Sequence, residues 1–405
     1  MGSSQWLAPL RERNFRLFFI GQTASQIGSG MAPVAIVFAV LAHGTASDVG
    51  YVLAAETVPL VILLLVGGVV GDRMSRRTLM LRADALRTAA ECALGLWVLL
   101  GRPPLWGFMV LAALMGVGQA FFSPALTGIV PQMLGDDTLQ QGNALNGISG
   151  SSGGVIGPAM AGVIVAVWSP GWAILIDGVT YLLSVVSLAL IRIDWQSVEQ
   201  SEPFIALLRQ GWREFWSRTW LWVIVIEFSL VNALFASFLV LGPVVAKQSL
   251  GGATAWGTIL AAGGVGSVIG GIVMLKIHPR RPLLIATLST LVFPVPLFLV
   301  ADHSPTVLIS LVSLLAGGFV TVFSVQWSTT LQREVPTEVL SRVSAYDWFG
   351  SLALMPLWMA LVGPVAAGIG ISRTLVASGV VMMALVVAVL FVPSVTQLRA
   401  PERSP

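Results

Sequence analysis

Long apolar segments, separated by short polar ones, repeat along the whole chain. A segment of about 18 or more apolar residues can cross a bilayer core of about 30 Å as a helix. The predicted membrane helices cover residues 15–41, 49–70, 79–100, 105–129, 141–167 and 172–191, and then 220–245, 253–275, 283–300, 307–331, 341–365 and 371–392. This pattern predicts an all-α integral membrane protein with twelve transmembrane helices.

The predicted helices fall into two sets of six that share sequence features. Arg76 and Arg77, after the second helix, recur as Arg280 and Arg281 after the eighth. A repeat of six helices in the same orientation is a parallel duplication, and such folds place the substrate near the midplane between the halves. We expect an N-terminal half at 1–192, a cytoplasmic linker at 193–218 and a C-terminal half at 219–405.

The linker has an amphipathic pattern. Its apolar residues at helical spacing are Ile205, Leu208, Trp212 and Phe215, and its arginines are Arg209, Arg213 and Arg218. A short helix of this composition is attracted to the anionic inner leaflet of a membrane. We therefore expect the linker to contain an interfacial helix that lies on lipid, and the pattern assigns it no further site.

Composition agrees with a membrane location. Hydrophobic residues make up 56% of the chain, charged residues only 10%, and the mean hydropathy is +0.87, which leaves too little polar surface to cover a soluble globule. All but Arg102, Lys247 and Arg373 of the 22 Lys and Arg residues fall on or near one side of the predicted helices. By the positive-inside rule we expect a multi-pass protein of the cell inner membrane, with both termini cytoplasmic.

The most specific motif lies between the second and third helices. It consists of Gly68, Asp72, Arg73, Arg76 and Arg77. The spacing resembles the signature of the major facilitator superfamily, and the resemblance implies a conformational latch in which Asp72 faces the positive end of helix eleven, at residues 337–341. Arg76 and Arg77 are expected to anchor the loop to acidic lipid or carboxylates. A loop that only sets topology would explain the arginines but not Asp72.

Helix five carries a second motif of small residues. It consists of Gly153, Gly157, Pro158 and Gly162. These residues resemble the antiporter motif of the same superfamily, although Ala161 replaces one glycine of the usual pair. Small residues allow close approach of helix backbones, and Gly266 and Gly270 offer a matching face on helix eight. We expect the two faces to form an outer gate between the halves; ordinary small-residue packing is the alternative.

Further segments resemble the enterobactin-exporter and macrolide-efflux-like branch of the superfamily. They are Leu10 to Leu17, Phe122 to Ala125, Asn143 to Leu145, and Ile176 with Asp177. The resemblance covers nearly the whole chain and implies a secondary transporter that works by alternating access. One departure concerns coupling: Ala112 stands where many drug/proton antiporters have an arginine in helix four.

Several ionisable residues lie within predicted membrane helices, where they are costly and indicate function by default. Asp84, Arg87 and Glu91 share one face of helix three, which favours a local ion network. Asp177, in the first turns of helix six, is likewise better explained as structural. Glu227 and Glu56 have only apolar helical neighbours. They are our first and second candidates for proton coupling.

Polar and aromatic positions on four helices indicate a substrate cavity of mixed character. The candidates are Gln22, Gln26 and Ser29 on helix one, Gln119 and Phe122 on helix four, Asn232 on helix seven and Phe323 on helix ten. Amide groups and rings suit an amphiphilic or aromatic ligand. Each aromatic taken singly is explained by packing against lipid or helices, so only the combination carries the prediction.

These patterns predict a proton-coupled exporter of small amphiphilic or aromatic molecules such as drugs, secondary metabolites or siderophores. An importer of the same fold and a non-transporting membrane sensor or scaffold remain as alternatives. An enzyme is not expected, since His43, His278 and His303 lie on separated segments and form no metal or acid–base motif. We expect no cofactor, metal or nucleic-acid partner; the expected partners are a small-molecule substrate, protons and lipid, for a monomer.

Overall fold

The computed structural model of the chain describes residues 7–193, 204–277 and 279–399. Within its helices, the side chains at 64–73, 127, 136, 204–208, 337, 338 and 341 lie outside the described part. All regular secondary structure in the described residues is helical. The chain divides into two compact units: unit 1 contains the residues up to 193 with Gly252–Ala261, and unit 2 contains residues 204–251 and those from 262 onward.

Unit 1 is a bundle of long helices. They are α1 Arg13–Leu41, α2 Ala46–Arg73, α3 Arg76–Leu100, α4 Leu105–Ile129, α5 Asp136–Val167 and α6 Pro170–Leu190. In this bundle α1 packs against α5 and α6, while α3 packs against α4 and α6, and α2 against α4. Since lipid offers no hydrophobic drive for these contacts, close packing at small residues holds them. A methyl group at Gly116 of α4, for example, would collide with the Glu56 carbonyl of α2.

Unit 2 contains more and shorter helices. They are α7 Phe204–Trp216, α8 Thr219–Val245, α9 Gly252–Met274, α10 Pro282–Ser289, α11 Val295–Ala301, α12 Thr306–Glu334, α13 Thr337–Leu352, α14 Met355–Ile369, α15 Ile371–Val389 and α16 Pro393–Thr396. The first part of α9, up to Ala261, belongs to unit 1. Within unit 2, α8 packs against α13, α14 and α15. Buried aromatic and aliphatic side chains of α8, α12 and α13 form its main core.

Two of the predicted membrane helices are interrupted. The ninth consists of α10, a 3₁₀ turn at Thr290–Val292 and α11, because Pro294 and Pro296 remove backbone donors in the middle of the span. The eleventh consists of α13 and α14, with Pro356 at the start of the second piece. Length alone predicted continuous helices at both places.

Eleven helical segments of the described chain are long and apolar enough to cross a membrane. The one predicted span that is missing from these eleven is the third, which corresponds to α3 and runs from Arg76 to Leu100. This helix has 25 residues, enough for about 37 Å, but Arg82, Asp84, Arg87 and Glu91 make it more polar than the others. Of these four residues, Asp84, Arg87 and Glu91 are buried, and charges at membrane depth are tolerated only where other parts of the protein surround them.

The amphipathic linker helix α7 packs against α13 of unit 2. Arg342 of α13 donates a hydrogen bond to Gln210, and the Trp212 and Phe215 rings contact Tyr346. Phe215 is buried, whereas Trp212 is half exposed. Both Trp212 and Phe215 thus contact α13, and the expectation that this helix rests on lipid stays a prediction. The side chains of Ile205 and Leu208 lie outside the described part.

Candidate functional site

A cavity of about 240 Å³ lies among the helices of unit 1. Its walls include all of the substrate candidates from helices one and four, together with the second proton-coupling candidate: Gln22, Gln26, Ser29, Gln119, Phe122 and Glu56. The structure also places Arg87, Glu91 and Tyr181 on the cavity wall. Sequence analysis assigned no ligand to Arg87 and Glu91, because helical spacing explained them as a local ion network, and it did not single out Tyr181.

Arg87 is the centre of a buried hydrogen-bond network in unit 1. Its guanidinium forms an ion pair with Asp84 at 3.2 Å, and donates to the Tyr181 hydroxyl and, at 3.4 Å, to the Ser29 hydroxyl. Ser184 donates to the second oxygen of Asp84 at 2.6 Å. The arginine carbon atom Cζ also lies 3.8 Å from the centre of the Tyr181 ring. The network ties α1, α3 and α6 together around one compensated charge.

Space for this arginine comes from a small residue on the neighbouring helix. A methyl group at Gly118 of α4 would contact the Arg87 side chain within 2.5 Å of its Cγ atom. The Phe122 ring, one turn further along α4, lies 5.3 Å from Arg87 Cζ. The sequence therefore supplies a gap and an aromatic face on α4 for a charged side chain from α3.

Glu91 of α3 and Asp177 of α6 are further carboxyl groups inside unit 1. Both residues are buried, and one oxygen of each finds no donor among the described groups. The local network predicted on helix three is confirmed for Asp84 and Arg87, which form the ion pair described above.

Two further groups on the cavity wall offer acceptors. Gln22 is 2% exposed, and its Oε1 atom has no hydrogen-bond partner in the described part of the chain. Glu56 projects from α2 onto the same wall. Gln119 is better satisfied, since its amide donates to Ser123 at 2.8 Å.

The remaining candidates for proton coupling and for the substrate cavity belong to unit 2. Glu227 of α8 is 4% exposed, and its Oε1 atom lacks a partner among the described groups. Asn232 donates to the carbonyl of Ser351 at 3.0 Å. The Phe323 ring stacks on Phe228 with 4.0 Å between ring centres, inside the aromatic core of the unit.

The glycine motif of α5 contacts two different helices. A methyl group at Gly153 would meet the Gln26 backbone, and one at Gly157 would meet Gly30, so both glycines pack on α1. Their expected partner was helix eight, and for these two residues that prediction is wrong in this structure. Close backbone approach, which small residues permit on any neighbour, does not specify which helix approaches.

The other end of the motif does meet helix eight. Within unit 1, a methyl group at Gly162 would contact the Ala253 carbonyl, and Gly257 lies against the carbonyl of Pro158. Thr254 donates to the Gly162 carbonyl at 3.3 Å. The contact therefore involves the first turns of α9.

Gly266 and Gly270 of α9 contact a different helix from the one predicted. They pack against Leu314 and Gly318 of α12. Their assignment to the contact with helix five is therefore wrong in this structure. The small face of α9 instead allows close packing with its neighbour inside unit 2.

The latch motif is only partly described. The side chains of Gly68, Asp72 and Arg73, and those at 337, 338 and 341, lie outside the described residues. Arg77 donates to the carbonyls of Leu188 and Ala189, at 2.8 and 2.7 Å. These carbonyls are at the C-terminal end of α6, where a cation is favoured. The expected anchor of Arg77 was lipid or a carboxylate, and the structure shows a helix end instead.

Arg76 lies against α4. Its guanidinium occupies the space beside Gly128, where a methyl group would collide with it. The two arginines of the motif thus reach different helices of unit 1. Together they hold the start of α3 against the ends of α4 and α6.

Comparison with known proteins gives consistent results over the full length. A family model described as transmembrane secretion effector matches residues 3–403. The chain is 26% identical to the multidrug efflux pump Tap of Mycolicibacterium fortuitum, over 94% of this chain and 96% of that protein. It is 22% identical to macrolide efflux protein A of Streptococcus pyogenes, over 95% and 96%. It is 26% identical to the enterobactin exporter EntS of Salmonella typhimurium, over 90% and 87%.

Solved structures of transporters share the fold. The nucleoside transporter NupG superposes with a TM-score of 0.77 over 93% of this chain and 98% of that one, at 12% identity. A peptide transporter of the POT family superposes with a TM-score of 0.78 over 95% of each chain, also at 12% identity. At this level of identity the likeness shows the fold alone.

Proposed function

The chain belongs to the transmembrane secretion effector family of major facilitator transporters, and on that premise we propose that it exports small amphiphilic or aromatic molecules in exchange for protons. Membership confirms the all-α membrane fold, the transporter class and the resemblance to efflux proteins and enterobactin exporters. The protein is a multi-pass membrane transporter of a small-molecule substrate. Direction, coupling and substrate class form the proposal.

Relatives with export functions support the direction. Three relatives that align with nearly all of this chain are named a multidrug efflux pump, a macrolide efflux protein and an enterobactin exporter. The proposed export runs by alternating access, with Asp72 as the latch and the contact of α5 with the first turns of α9 as part of an outer gate. The distribution of basic residues supports cytoplasmic termini in the inner membrane.

The cavity of unit 1 is the observation that carries the proposal. Five predicted substrate residues line it, and it combines amide groups, hydroxyls and the Phe122 ring. Such a surface suits molecules with both polar and aromatic parts. Buried carboxyl groups in both units supply sites at which protons could bind, with Glu227 as the first coupling candidate and Glu56 as the second.

Transport by inside-out membrane vesicles tests the proposal. Fluorescent amphiphiles, one cationic and one neutral, are added outside vesicles that have an acidic interior. An exporter accumulates at least one of them in the lumen while protons leave, and a protonophore abolishes the accumulation. Vesicles without the protein are the control. Accumulation only in right-side-out vesicles would indicate import, and no flux in either orientation would indicate a sensor or scaffold.

A further inference from the structure

We propose that α7 of unit 2 is a binding surface for anionic phospholipid of the membrane, and that the bound lipid stabilises the first turns of α13 through the contact between the two helices. The inference goes beyond the proposed function, because it concerns a partner other than the transported substrate. The sequence pattern places the linker on lipid but connects it to no other part of the protein.

The helix α7 lies beside the start of a membrane helix. It ends at Trp216, and α8, which is long and apolar enough to cross a membrane, begins at Thr219. The Trp216 ring lies 5.5 Å from the ring of Trp222 in the first turn of α8. Tryptophan is enriched where membrane and water meet. The short connection therefore keeps the end of α7 within the interface at which α8 enters the membrane.

Four exposed side chains of α7 form one surface, which we call the Arg–Trp face. They are Arg209, Trp212, Arg213 and Trp216. On an α-helix these positions fall within an arc of about 100° around the axis. Gly211 and Phe215 lie on the other side of the helix and are buried. One side of α7 thus combines cations with indole rings, while the other packs on protein.

The two arginines of the Arg–Trp face carry positive charge that no described carboxylate neutralises. Among the described residues, the ion pairs are that of Asp84 in unit 1 and that of Glu214 with Arg218. Glu214 is the only acidic residue of α7, and its distance to Arg218 is 2.7 Å. The face therefore presents two uncompensated guanidinium groups beside the membrane.

Anionic phospholipid matches this face both in charge and in polarity. The negative surface of the inner leaflet attracts arginines that lie close to it, and a guanidinium can donate two parallel hydrogen bonds to a phosphate group. An indole ring places its apolar part toward the acyl chains and its N–H group toward water. A free phosphate ion would pair with the arginines but leave both indoles in water. The combination therefore favours a membrane surface over a soluble anion.

The opposite side of α7 contacts α13 closely. Arg342 of α13 donates a hydrogen bond to Gln210. A methyl group at Gly211 would lie 2.8 Å from the Arg342 Cβ atom, so the two helices approach at a position without a side chain. The Tyr346 ring lies 5.4 Å from the ring of Trp212. Trp212 thus belongs both to the Arg–Trp face and to the contact with α13.

This contact connects lipid with the start of α13. The helix begins at Thr337, and Arg342 and Tyr346 lie within its first three turns. Lipid bound on the Arg–Trp face restricts the motion of α7, so α7 loses less conformational freedom when it packs on α13. By linkage, the bound lipid and the packed state of α13 stabilise each other.

Hydrogen exchange of the purified full-length protein in nanodiscs tests the inference. One set of nanodiscs contains phosphatidylcholine alone, and the other contains phosphatidylcholine mixed with phosphatidylglycerol. We expect phosphatidylglycerol to slow exchange of the α7 amides and of those in the first turns of α13 by about tenfold, because two arginines near an anionic surface favour the closed form. Equal exchange of α7 in the two lipid mixtures overturns the proposal.

Two variants that remove the same charge show whether the Arg–Trp face is responsible. The double variant Arg209→Gln/Arg213→Gln should lose the effect of phosphatidylglycerol on both helices. Arg11→Gln/Arg13→Gln is the control, because these arginines are exposed and belong to the start of unit 1. It should respond to phosphatidylglycerol like the parent. Loss of the response in both variants would indicate a general effect of net charge and overturn the site.

A third variant tests the connection to α13. Arg342→Ala/Tyr346→Ala removes the α13 side of the contact and leaves the Arg–Trp face intact. Phosphatidylglycerol should still slow exchange of α7 in this variant, whereas the first turns of α13 should exchange equally in both lipid mixtures. If α13 still responds as in the parent, the contact with α7 does not transmit the effect and that part of the proposal is overturned.

Inorganic phosphate distinguishes a membrane surface from a site for a free anion. It is added to the protein in detergent without phospholipid, and we expect no change in the exchange of α7. If phosphate slows exchange as much as phosphatidylglycerol does, the face binds soluble anions and the proposed lipid surface is wrong. All of these measurements work without a transported substrate. A failure of the exporter proposal in vesicles therefore leaves their outcome unchanged.

Discussion

Arg87 illustrates how a single charged residue is tolerated inside a membrane bundle. Its guanidinium has an ion-pair partner, two hydroxyl acceptors and the face of an aromatic ring. A charge at this depth is stabilised because an ion pair and hydrogen bonds within the protein replace its contacts with water. Because a buried charge needs its partner, removal of Arg87 alone or of Asp84 alone should be costly.

A double-mutant cycle on Arg87 and Asp84 measures this dependence. Arg87→Ala leaves Asp84 buried without its cation, and Asp84→Ala leaves Arg87 without its anion. Each change should lower the free energy of unfolding by about 3 to 5 kcal/mol. The double variant should lose clearly less than the sum, because it leaves no uncompensated charge. Reversible unfolding in mixed detergent gives these values, and strictly additive losses would show that the two residues are not coupled.

Glu227, in unit 2, is the first candidate for the residue that couples transport to protons. It is buried, and its Oε1 atom has no partner in the described part of the chain. Glu227→Gln mimics the protonated form and cannot titrate. We expect the variant to bind and exchange substrate but to lose accumulation driven by a pH gradient. The measurement is substrate flux in vesicles with and without that gradient.

Comparison with Glu56→Gln identifies which carboxyl group couples. If the Glu227→Gln variant concentrates substrate as well as the parent does, Glu227 is not the coupling site. Loss of accumulation in the Glu56→Gln variant alone would then move the assignment to unit 1.

At the scale of helices, the contact of α1 with α5 depends on glycine. A methyl group at Gly157 would lie close to the Gly30 backbone, and one at Gly153 would lie close to Gln26. Backbone atoms cannot move aside as a flexible side chain can. The two helices therefore approach as closely as they do only because these positions lack a side chain.

Gly157→Ala and Gly154→Ala form a matched pair on neighbouring turns of α5. A methyl group at Gly154 would have no described atom within 4 Å, whereas one at Gly157 would meet the Gly30 backbone. We expect Gly157→Ala to destabilise the protein by about 1 to 3 kcal/mol through overpacking. Gly154→Ala should be neutral or stabilise it by up to about 1 kcal/mol, because alanine favours a helix. Thermal unfolding in detergent compares them, and equal effects would contradict the packing assignment.

At the scale of the whole molecule, the distribution of basic residues predicts the orientation in the membrane. Arg102 follows α3 on the side that we assign to the outside, and the C-terminal residues lie on the inside. A fluorescent protein fused after Pro405 should therefore fold and fluoresce in the cytoplasm, while alkaline phosphatase at that position stays inactive. Alkaline phosphatase inserted after Arg102 is the control and should be active. The reverse result would invert the proposed topology.

The sequence alone predicted the class of fold, and eleven of the twelve predicted membrane helices coincide with segments of the described chain that are long and apolar enough to cross a membrane. Insertion of a helix into lipid depends mainly on the apolar character of its own residues, so local hydropathy is enough to find it. The motif from Gly68 to Arg77 then indicated the superfamily, because a loop that only sets topology would explain its arginines but not Asp72. Interruptions at Pro294 and Pro356 were missed, since a window of apolar residues does not distinguish a continuous helix from a broken one.

Tertiary structure decided which helix faces meet. Gly157 and Gly266 were correctly recognised as sites of close approach, yet their partners are α1 and α12. Likewise, Asp84 and Arg87 lie on one face of α3, but only the packing of α6 against that face brings Ser184 to Asp84 and Tyr181 to Arg87. Spacing along one helix determines which residues share a face. The partner of that face depends on contacts between residues far apart in the chain, which local patterns do not encode.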